Sequence, residues 1–345
     1  MQLRKPPALR RGDTVAVLSL SAGLAALMPA RYAAGKRQLA EAFGLNAIEA
    51  PHTLADPGWL RDHPEARAAD LHWALDNPDV HGIISSIGGE DSIRLLPYLD
   101  LAKIADQPKV FTGYSDTTIQ HLVHRRAGVT SFYGMSLLAT AAENAGVHPY
   151  TVESFRRTVM STEPVGTLSA APEWTEERLD WLDPQLQDRR RRWVPNYGWL
   201  WLQGEQPVTG PLLGGCLEVL TMAQGTPIFP SLSEFDGAIL HLELSEEKPP
   251  IGQVGHWLRS FAALGIIERI GALLLSRPED RSLRETLELY AAVQRELAEA
   301  GRADLPFVAN LDFGHSSPMG LLPLGASLTV DPVARRITVN EAMVC

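Results

Sequence analysis

A serine lies where a short apolar run meets a helical pattern. Residues 110–117 read Val-Phe-Thr-Gly-Tyr-Ser-Asp-Thr, and the helical pattern follows directly. Gly113 lets a strand turn without strain at Cβ, and Asp116 and Thr117 could cap the first N–H groups of the helix. Such a strand-to-helix turn exposes the hydroxyl of Ser115 as a nucleophile, although Thr117 stands where the hydrolase pattern G-x-S-x-G has its second glycine. An N-cap without chemistry is the alternative, so partner residues must decide.

A serine nucleophile needs a base, and ten histidines are available. His315 lies in residues 312–320, Asp-Phe-Gly-His-Ser-Ser-Pro-Met-Gly, a loop rich in turn-forming residues that follows a strand-like run. Loops in this position commonly present functional side chains. His315 is therefore the predicted base; the alternative is a loop histidine that only hydrogen-bonds its neighbours.

Glu243 is the candidate for the acid that orients the base. It interrupts the apolar run 239–244, and a buried carboxylate there would need a partner such as His315. The alternative is outward alternation, in which His241 and Glu243 share a solvated strand face. Glu246 and Glu247 are further candidates in a turn-like stretch.

Two backbone N–H groups could hold an oxyanion. The N–H of Asp116 follows the nucleophile directly, and Gly89 has no side chain to block approach; each such donor can contribute about 3 kcal/mol. An ordinary β-to-α turn at Gly88-Gly89 is the alternative. A phosphate cradle there has little support, because the chain has neither G-x-G-x-x-G nor G-K-[ST].

The elements that must position these groups alternate between strands and helices in the first part of the chain. The pattern predicts a parallel sheet covered on both faces, with ligands at the carboxyl ends of its strands. Ser115 and Gly88-Gly89 both fall at such ends. The predicted strands are 14–20, 80–87 and 110–112, and the predicted helices are 30–43, 64–75 and a run from Asp91.

The length of 345 residues exceeds the roughly 250–300 at which a single core stops growing, so two domains are expected. Residues 174–201 hold five of the eight tryptophans and predict a long, partly ordered connection. From Gly210 the pattern predicts a second, mixed α+β domain. Its predicted strands are 239–244, 270–275, 307–309, 326–330 and 336–339, and its predicted helices are 254–264 and 283–300.

Composition narrows the function classes. A hydrophobic content of 45%, a charged content of 21% and a formal charge of −10 indicate a globular protein that does not bind nucleic acid; the basic run 189–192 is interpreted as a solvated face. Two cysteines give neither a disulfide framework nor metal-ligand spacing, which favours a reducing compartment. No apolar run reaches about 18 residues, and the N-terminus has no long apolar region, so a cytoplasmic protein without membrane contact is expected.

Five separated motifs together resemble the serine LD-carboxypeptidase family that includes the microcin C immunity peptidases. The resemblance implies a triad of Ser115, Glu243 and His315, with Asp116 and Gly89 as oxyanion donors, no metal, no cofactor, and a homodimer. It also implies an N-terminal parallel α/β domain (1–165) and a smaller, β-rich, barrel-like α+β domain (206–345), which the tryptophan-rich connection seen in the composition (166–205) would join. The motifs are Ser-Ser-Ile-Gly-Gly-Glu-Asp-Ser (85–92), Gly-Tyr-Ser-Asp-Thr-Thr (113–118), Gly-Pro-Leu-Leu-Gly-Gly (210–215), Leu242-Glu243 and Gly314-His315.

Within that family, residues 87–92, the connection and Glu-Glu-Lys-Pro at 246–249 look more like the microcin C immunity branch, whose members cleave the amide joining an aminoacyl group to a modified nucleotide. Substrate contacts are then expected at Gly88 and Lys248, and Trp174 or Trp181 could stack on a base for about 1–3 kcal/mol. Packing of the connection is the alternative role for each tryptophan.

Three functions stay open on these residues. The expected one is a peptidase or amidase acting on small aminoacyl-nucleotide or peptide substrates. An LD-carboxypeptidase that releases the terminal D-alanine of muropeptides in peptidoglycan recycling is the first alternative, and a non-catalytic peptide- or nucleotide-binding module is the second. One departure from the family bears on substrate contacts: Cys216 stands where asparagine is usual.

Overall fold

The structure of the protein, a computed structural model, describes residues 3–345. It confirms the predicted fold class, because a parallel α/β layer forms first and a β-rich α+β part follows. The strands, in chain order, are β1 (Thr14–Leu18), β2 (Asn46–Glu49), β3 (Val80–Ser85), β4 (Val110–Gly113), β5 (Phe132–Tyr133), β6 (Gly166–Thr167), β7 (Glu173–Trp174), β8 (Val194–Pro195), β9 (Leu200–Gln203), β10 (Val208–Cys216), β11 (Ile239–Glu243), β12 (Ala272–Ser276), β13 (Phe307–Leu311), β14 (Leu322–Pro323), β15 (Ser327–Asp331) and β16 (Arg336–Val339).

Helices alternate with the strands along much of the chain. In the described part of the chain, no helix combines the length and apolar character needed to cross a bilayer. The α-helices are α1 (Leu24–Leu27), α2 (Pro29–Phe43), α3 (Pro57–Asp62), α4 (Pro64–Asp76), α5 (Leu101–Asp106), α6 (Thr118–Arg126), α7 (Pro149–Val159), α8 (Leu217–Ala223), α9 (Ile251–Ala263), α10 (Ile266–Arg269) and α11 (Leu283–Glu299), and the run after Asp91 is a 3-10 helix, Ser92–Tyr98.

The first sheet has the order β14-β5-β4-β3-β1-β2, and its pairs from β2 to β5 are parallel. Residues Val15, Ala16, Val17 and Leu18 of β1 are all buried, as expected of a parallel strand with helices on both faces. Because β3 and β4 are parallel neighbours, the segments that follow them emerge at the same sheet edge. Gly88 and Ser115 therefore lie close together.

The second sheet has eight strands in the order β6-β16-β15-β10-β11-β12-β13-β9. Its centre, from β10 to β13, is parallel, and antiparallel strands flank it on both sides. Strand β11 lies inside this sheet and ends at Glu243, so the glutamate is presented at the carboxyl edge of the parallel group.

Each sheet contains strands from more than one of the segments that the sequence predicted as domains or connection. Strand β14, from the C-terminal segment, pairs with β5 of the first sheet. Strands β6 and β9, from the connection, pair with β16 and β13 of the second sheet. The two layers are thereby tied together around the crevice between them.

The tryptophan-rich connection makes side-chain contacts with Asp312 and Arg277. The carboxylate of Asp312 accepts hydrogen bonds from Trp199 Nε1 at 2.8 Å and Asn196 Nδ2 at 3.1 Å, and it pairs with buried Arg277 at 2.8 Å. Trp174 lies over the same guanidinium at 4.8 Å. These partners are distant in sequence, and local periodicity carries no sign of them.

Candidate active site

Ser115 has a strained backbone. Its φ is +63°, a left-handed conformation that non-glycine residues rarely adopt outside functional turns. Gly113 does not supply the turn by a positive φ, as the sequence suggested. A Cβ at Gly113 would instead lie 2.5 Å from Thr117 Cγ2 and 3.0 Å from Ser85 Cβ, so the glycine is needed for close packing. The strain resides in the serine itself.

Asp116 and Thr117 do not cap helix α6 with their side chains, which corrects the sequence prediction. The buried Asp116 carboxylate accepts from Ser21 Oγ at 2.5 Å and from the Ser92 N–H at 2.8 Å, while Ser92 Oγ donates to the Asp116 carbonyl. Burial raises the pKa of this carboxyl, and the hydrogen bonds oppose that shift. These contacts fix the loops after β1 and β3 to the serine turn, and none of them uses the Asp116 N–H.

Gly88 lies directly against the serine. A Cβ on Gly88 would be 2.9 Å from Ser115 Cβ, 3.1 Å from its Oγ and 3.4 Å from the Asp116 nitrogen. The Gly88 carbonyl accepts from the Ala22 N–H at 3.1 Å. Because a trans peptide directs its C=O and N–H to opposite sides, the Gly89 N–H points away from Ala22. The Gly88–Gly89 peptide therefore borders the space beside the hydroxyl.

Glu243 is fully buried and joins the two layers at this point. Its Oε2 accepts from His315 Nδ1 at 2.8 Å, and its Oε1 accepts from the Ser115 N–H at 3.3 Å and from the Tyr133 hydroxyl. Every residue of β11 is buried, which rules out the solvated-face alternative for this strand. Gly314, with φ +79°, lies against the same carboxylate, and any Cβ there would collide with it.

His315 donates on both sides of its ring. Nε2 lies 2.7 Å from Glu246 Oε2, while Nδ1 lies on Glu243. Burial opposes protonation of the imidazole, but the two carboxylates outweigh it, and the pKa of His315 lies well above its ordinary value. The hydrogen bond from His315 lowers the pKa of Glu246 to about 2. In this state the ring is an imidazolium held between two carboxylates.

Because His315 Nε2 is bound to Glu246, the imidazole makes no hydrogen bond to the hydroxyl of Ser115. Among residues 3–345, no hydrogen bond joins Ser115 Oγ to His315, although both residues bind the same Glu243 carboxylate. The ring of Tyr114 packs edge-on against His315 at 4.9 Å between centroids. Nucleophile and base are thus brought together, and the Nε2 atom that would accept the hydroxyl proton is occupied by Glu246.

Tyr133 is a site residue that the sequence did not indicate. Its hydroxyl donates to Glu243 and accepts from the Ser115 N–H at 3.0 Å. Burial and the Glu243 charge raise the pKa of the phenol, which therefore stays protonated as a donor. The available signal was a tyrosine at the end of a strand next to the serine strand, but β5 has only two residues and shows no periodicity.

A cavity of about 420 Å³ opens beside His315, and only some of the residues predicted to contact substrate line it. Trp181 lines it, and the Arg31 guanidinium lies over its ring at 4.1 Å. Trp174 does not line it and covers Arg277 instead. Lys248 is directed to Glu285, 3.3 Å away, outside the cavity.

Cys216 ends β10 and pairs in register with Glu243. Its N–H donates to Thr118 Oγ1 at 3.1 Å, and Thr118 in turn donates to the Ser115 carbonyl at 2.7 Å. Burial, reinforced by nearby carboxylates, raises the pKa of the thiol well above its ordinary value. The residue thus connects the second sheet to the serine turn through its backbone.

Family models match both layers of this site. Residues 15–134 match the LD-carboxypeptidase N-terminal domain, and residues 209–330 match the LD-carboxypeptidase C-terminal domain. The chain belongs to the LD-carboxypeptidase family. As an LD-carboxypeptidase family member it is a hydrolase of the serine-peptidase type, and its Ser115, Glu243 and His315 come from the two matched regions.

Similar proteins of known structure or name span nearly the whole chain. An MccF-like protein from Streptococcus pneumoniae, solved in complex with AMP, is 32% identical, covers 95% of this chain and 99% of its own, and has a TM-score of 0.86. The microcin C7 self-immunity protein MccF of Escherichia coli is 25% identical over 96% of this chain and 94% of its own. A structure of MccF with aspartyl sulfamoyl adenosine has a TM-score of 0.83. The murein tetrapeptide carboxypeptidase of Pseudomonas aeruginosa is 25% identical over 86% of each chain.

Proposed function

We propose that Ser115, His315 and Glu243 form a catalytic triad that hydrolyses an amide bond in small aminoacyl-nucleotide or peptide substrates. The observation that carries the proposal is the Glu243 carboxylate, which binds His315 Nδ1 at 2.8 Å and the Ser115 N–H at 3.3 Å. A buried carboxylate in that place fixes the tautomer of the imidazole and stabilises its charged form.

In the proposed reaction Ser115 Oγ attacks the substrate carbonyl while His315 Nε2 accepts the hydroxyl proton. The C–N bond then breaks, the same proton passes to the leaving nitrogen, and an ester on Ser115 remains. Water, deprotonated by His315, releases the acyl group. The N–H groups of Asp116 and Gly89 are the proposed donors to the oxyanion, because Gly88 lies against both Ser115 Oγ and the Asp116 nitrogen.

Glu246 must leave Nε2 before this reaction begins. In the structure its carboxylate occupies the ring nitrogen that would face Ser115 Oγ. Glu246 follows the end of β11 and has a half-exposed side chain, whereas Glu243 is buried. A substrate that enters the cavity would therefore displace Glu246 and leave the Glu243 contact intact.

The cavity favours a nucleotide-bearing substrate. Trp181 presents an indole ring to the same 420 Å³ space that His315 lines, and an indole can stack on a base for about 1–3 kcal/mol. MccF, which is similar to this chain, has been solved with aspartyl sulfamoyl adenosine. A muropeptide has no base, so it would not use this ring in the same way.

Paired hydrolysis assays test the proposal. The wild-type protein should release adenosine sulfamate from an aminoacyl sulfamoyl adenosine faster than it releases D-alanine from a muropeptide tetrapeptide. Ser115→Ala should keep the fold and lose turnover of both. Preferred release of D-alanine would instead support the muropeptide carboxypeptidase, and a Ser115→Ala variant with wild-type turnover would contradict the triad.

We also infer a cytoplasmic homodimer. Support for a reducing compartment comes from the cysteines, since Cys216 is buried and Cys345 is exposed, and both are free thiols. Light scattering at micromolar concentration should give twice the chain mass of 37.7 kDa; a mass of one chain would contradict the dimer.

A further inference from the structure

Arg31 is a buried cation that lines the cavity and pairs with no carboxylate among residues 3–345. The residue is 3% exposed, lies near the start of α2 and is among the side chains that line the 420 Å³ space. Burial lowers the pKa of its guanidinium to about 10, so the group is still charged at neutral pH. A buried charge without a counter-ion is costly, so an anion that neutralised it would be bound favourably.

The acceptors that Arg31 uses are all neutral. Nε donates to the Leu138 carbonyl at 2.7 Å, and Nη1 donates to Asn144 Oδ1 at 3.0 Å and Gln187 Oε1 at 3.3 Å. Both amides are fixed in orientation, since Asn144 Nδ2 donates to the Leu186 carbonyl and Gln187 Nε2 donates to the Ala142 carbonyl. Nη2 has no acceptor among residues 3–345.

The other two arginines of the cavity are already neutralised. Arg178 pairs with Glu279 at 2.8 Å. Arg191 makes a two-point pair with Glu143, whose Oε1 also accepts from the Asn144 N–H. The charge of Glu143 acts on Arg31, but both of its carboxylate oxygens already accept hydrogen bonds from Arg191. The positive charge of Arg31 is left facing the cavity.

We propose that Arg31 Nη2 is an anion-binding group of the substrate cavity and that the substrate carries a negatively charged oxygen acid, a phosphoryl-type or a carboxylate group, which docks on it beside Trp181. This deepens the proposed function and rests on it for the identity of the cavity as the substrate site. A fixed guanidinium that keeps a free N–H suits such groups, because charge-assisted hydrogen bonds are about twice as strong as neutral ones.

Binding measurements without turnover can distinguish a phosphoryl group from a carboxylate group as the anion that Arg31 binds. Ser115→Ala protein, with and without Arg31→Met, is titrated with AMP and with adenosine, and separately with N-acetyl-lysyl-D-alanine and its C-terminal amide. Intrinsic tryptophan fluorescence or calorimetry reports the affinities. Arg178→Met is the matched control, because its charge is already paired with Glu279.

With Arg31 present, the charged ligand of one pair should bind at least about tenfold more tightly than the neutral ligand of the same pair. Arg31→Met should abolish this ratio of affinities. Loss of the AMP-to-adenosine ratio identifies a phosphoryl group, and loss of the acid-to-amide ratio identifies a carboxylate. If Arg31 had only a structural role, Arg31→Met would lower the affinities for the charged and the neutral ligand of a pair by the same factor. The inference is overturned if Arg31→Met leaves the affinity ratios unchanged, or if the protein with Arg31 shows no preference for the charged ligands. Failure of the triad would appear instead as absent hydrolysis with the Arg31-dependent ratio intact.

Discussion

Glu243 accepts a hydrogen bond from the backbone N–H of Ser115, at 3.3 Å, as well as from the ring of His315. One carboxylate therefore orients the base and also stabilises the strained turn that presents the hydroxyl. Tyr133 reinforces both functions, because its hydroxyl bridges the same oxygen and the same N–H.

Replacing Tyr133 by phenylalanine tests this bridge. Tyr133→Phe leaves a buried carboxylate oxygen with one donor fewer, which costs about 1–3 kcal/mol, and kcat should fall roughly 10- to 100-fold with little change in KM. Steady-state kinetics on the substrate that the wild-type protein hydrolyses gives kcat and KM separately. Tyr290→Phe removes the same atom from a buried ring on α11 and should leave kcat unchanged. A Tyr133→Phe enzyme with wild-type kcat would contradict the bridge.

Glycine at position 115 should relieve the backbone strain. A left-handed conformation costs a non-glycine residue about 1–2 kcal/mol, so Ser115→Gly should be more stable to urea unfolding than Ser115→Ala. Both variants lack the hydroxyl, so Ser115→Ala is the internal control. Equal unfolding midpoints, or a less stable glycine variant, would show that the turn stores no strain.

A methyl group at Gly88 should displace the nucleophile. The added Cβ of Gly88→Ala would lie 2.9 Å from Ser115 Cβ and would push the serine away. A displacement of the Ser115 hydroxyl by up to about 1 Å can lower kcat/KM on the order of 100-fold. Gly252→Ala on α9 is the control, because its Cβ would meet nothing within 4 Å. Full activity in Gly88→Ala would mean that this loop does not confine Ser115.

The acid limb of the pH–rate profile should depend on Glu246. The base must be neutral to accept a proton, yet the pKa of His315 is raised because Glu243 and Glu246 outweigh its burial. Removing one negative charge lowers that pKa, so Glu246→Gln should move the acid limb of kcat/KM to lower pH and raise activity in acid.

The groups facing His315 define the control for this experiment. Besides the two glutamates, Glu279 and Tyr114 lie near the ring, and they stay unchanged in the variant. Glu247→Gln removes the same charge from the adjacent position and should leave the limb where wild type has it. An unmoved limb in Glu246→Gln, or a shift to higher pH, would contradict the assigned contact.

The sequence predicted eight of the sixteen strands that the structure describes, because their apolar runs are local signals. Residues 239–243 were ambiguous, since His241 and Glu243 alternate with apolar residues as on a half-exposed strand. In the fold this strand is parallel and buried on both faces, so alternation carries no information about exposure. Only the three-dimensional arrangement shows that Glu243 faces inward.

The features that the sequence could not supply are contacts between distant segments. Tyr133 belongs to a two-residue strand, and nothing near it in sequence indicates Glu243 as a partner. Trp174 and Trp181 have similar local contexts, but only Trp181 meets the cavity while Trp174 covers Arg277. The position of Glu246 on the base likewise depends on how the segment after β11 folds back.

The most direct test of the central claim is covalent labelling with a fluorophosphonate, followed by peptide mass mapping of wild type and His315→Ala. We predict a single adduct on Ser115, formed in wild type far faster than in His315→Ala, since the imidazole must accept the hydroxyl proton. No adduct, an adduct on another residue, or equal labelling rates in the two proteins would contradict the account.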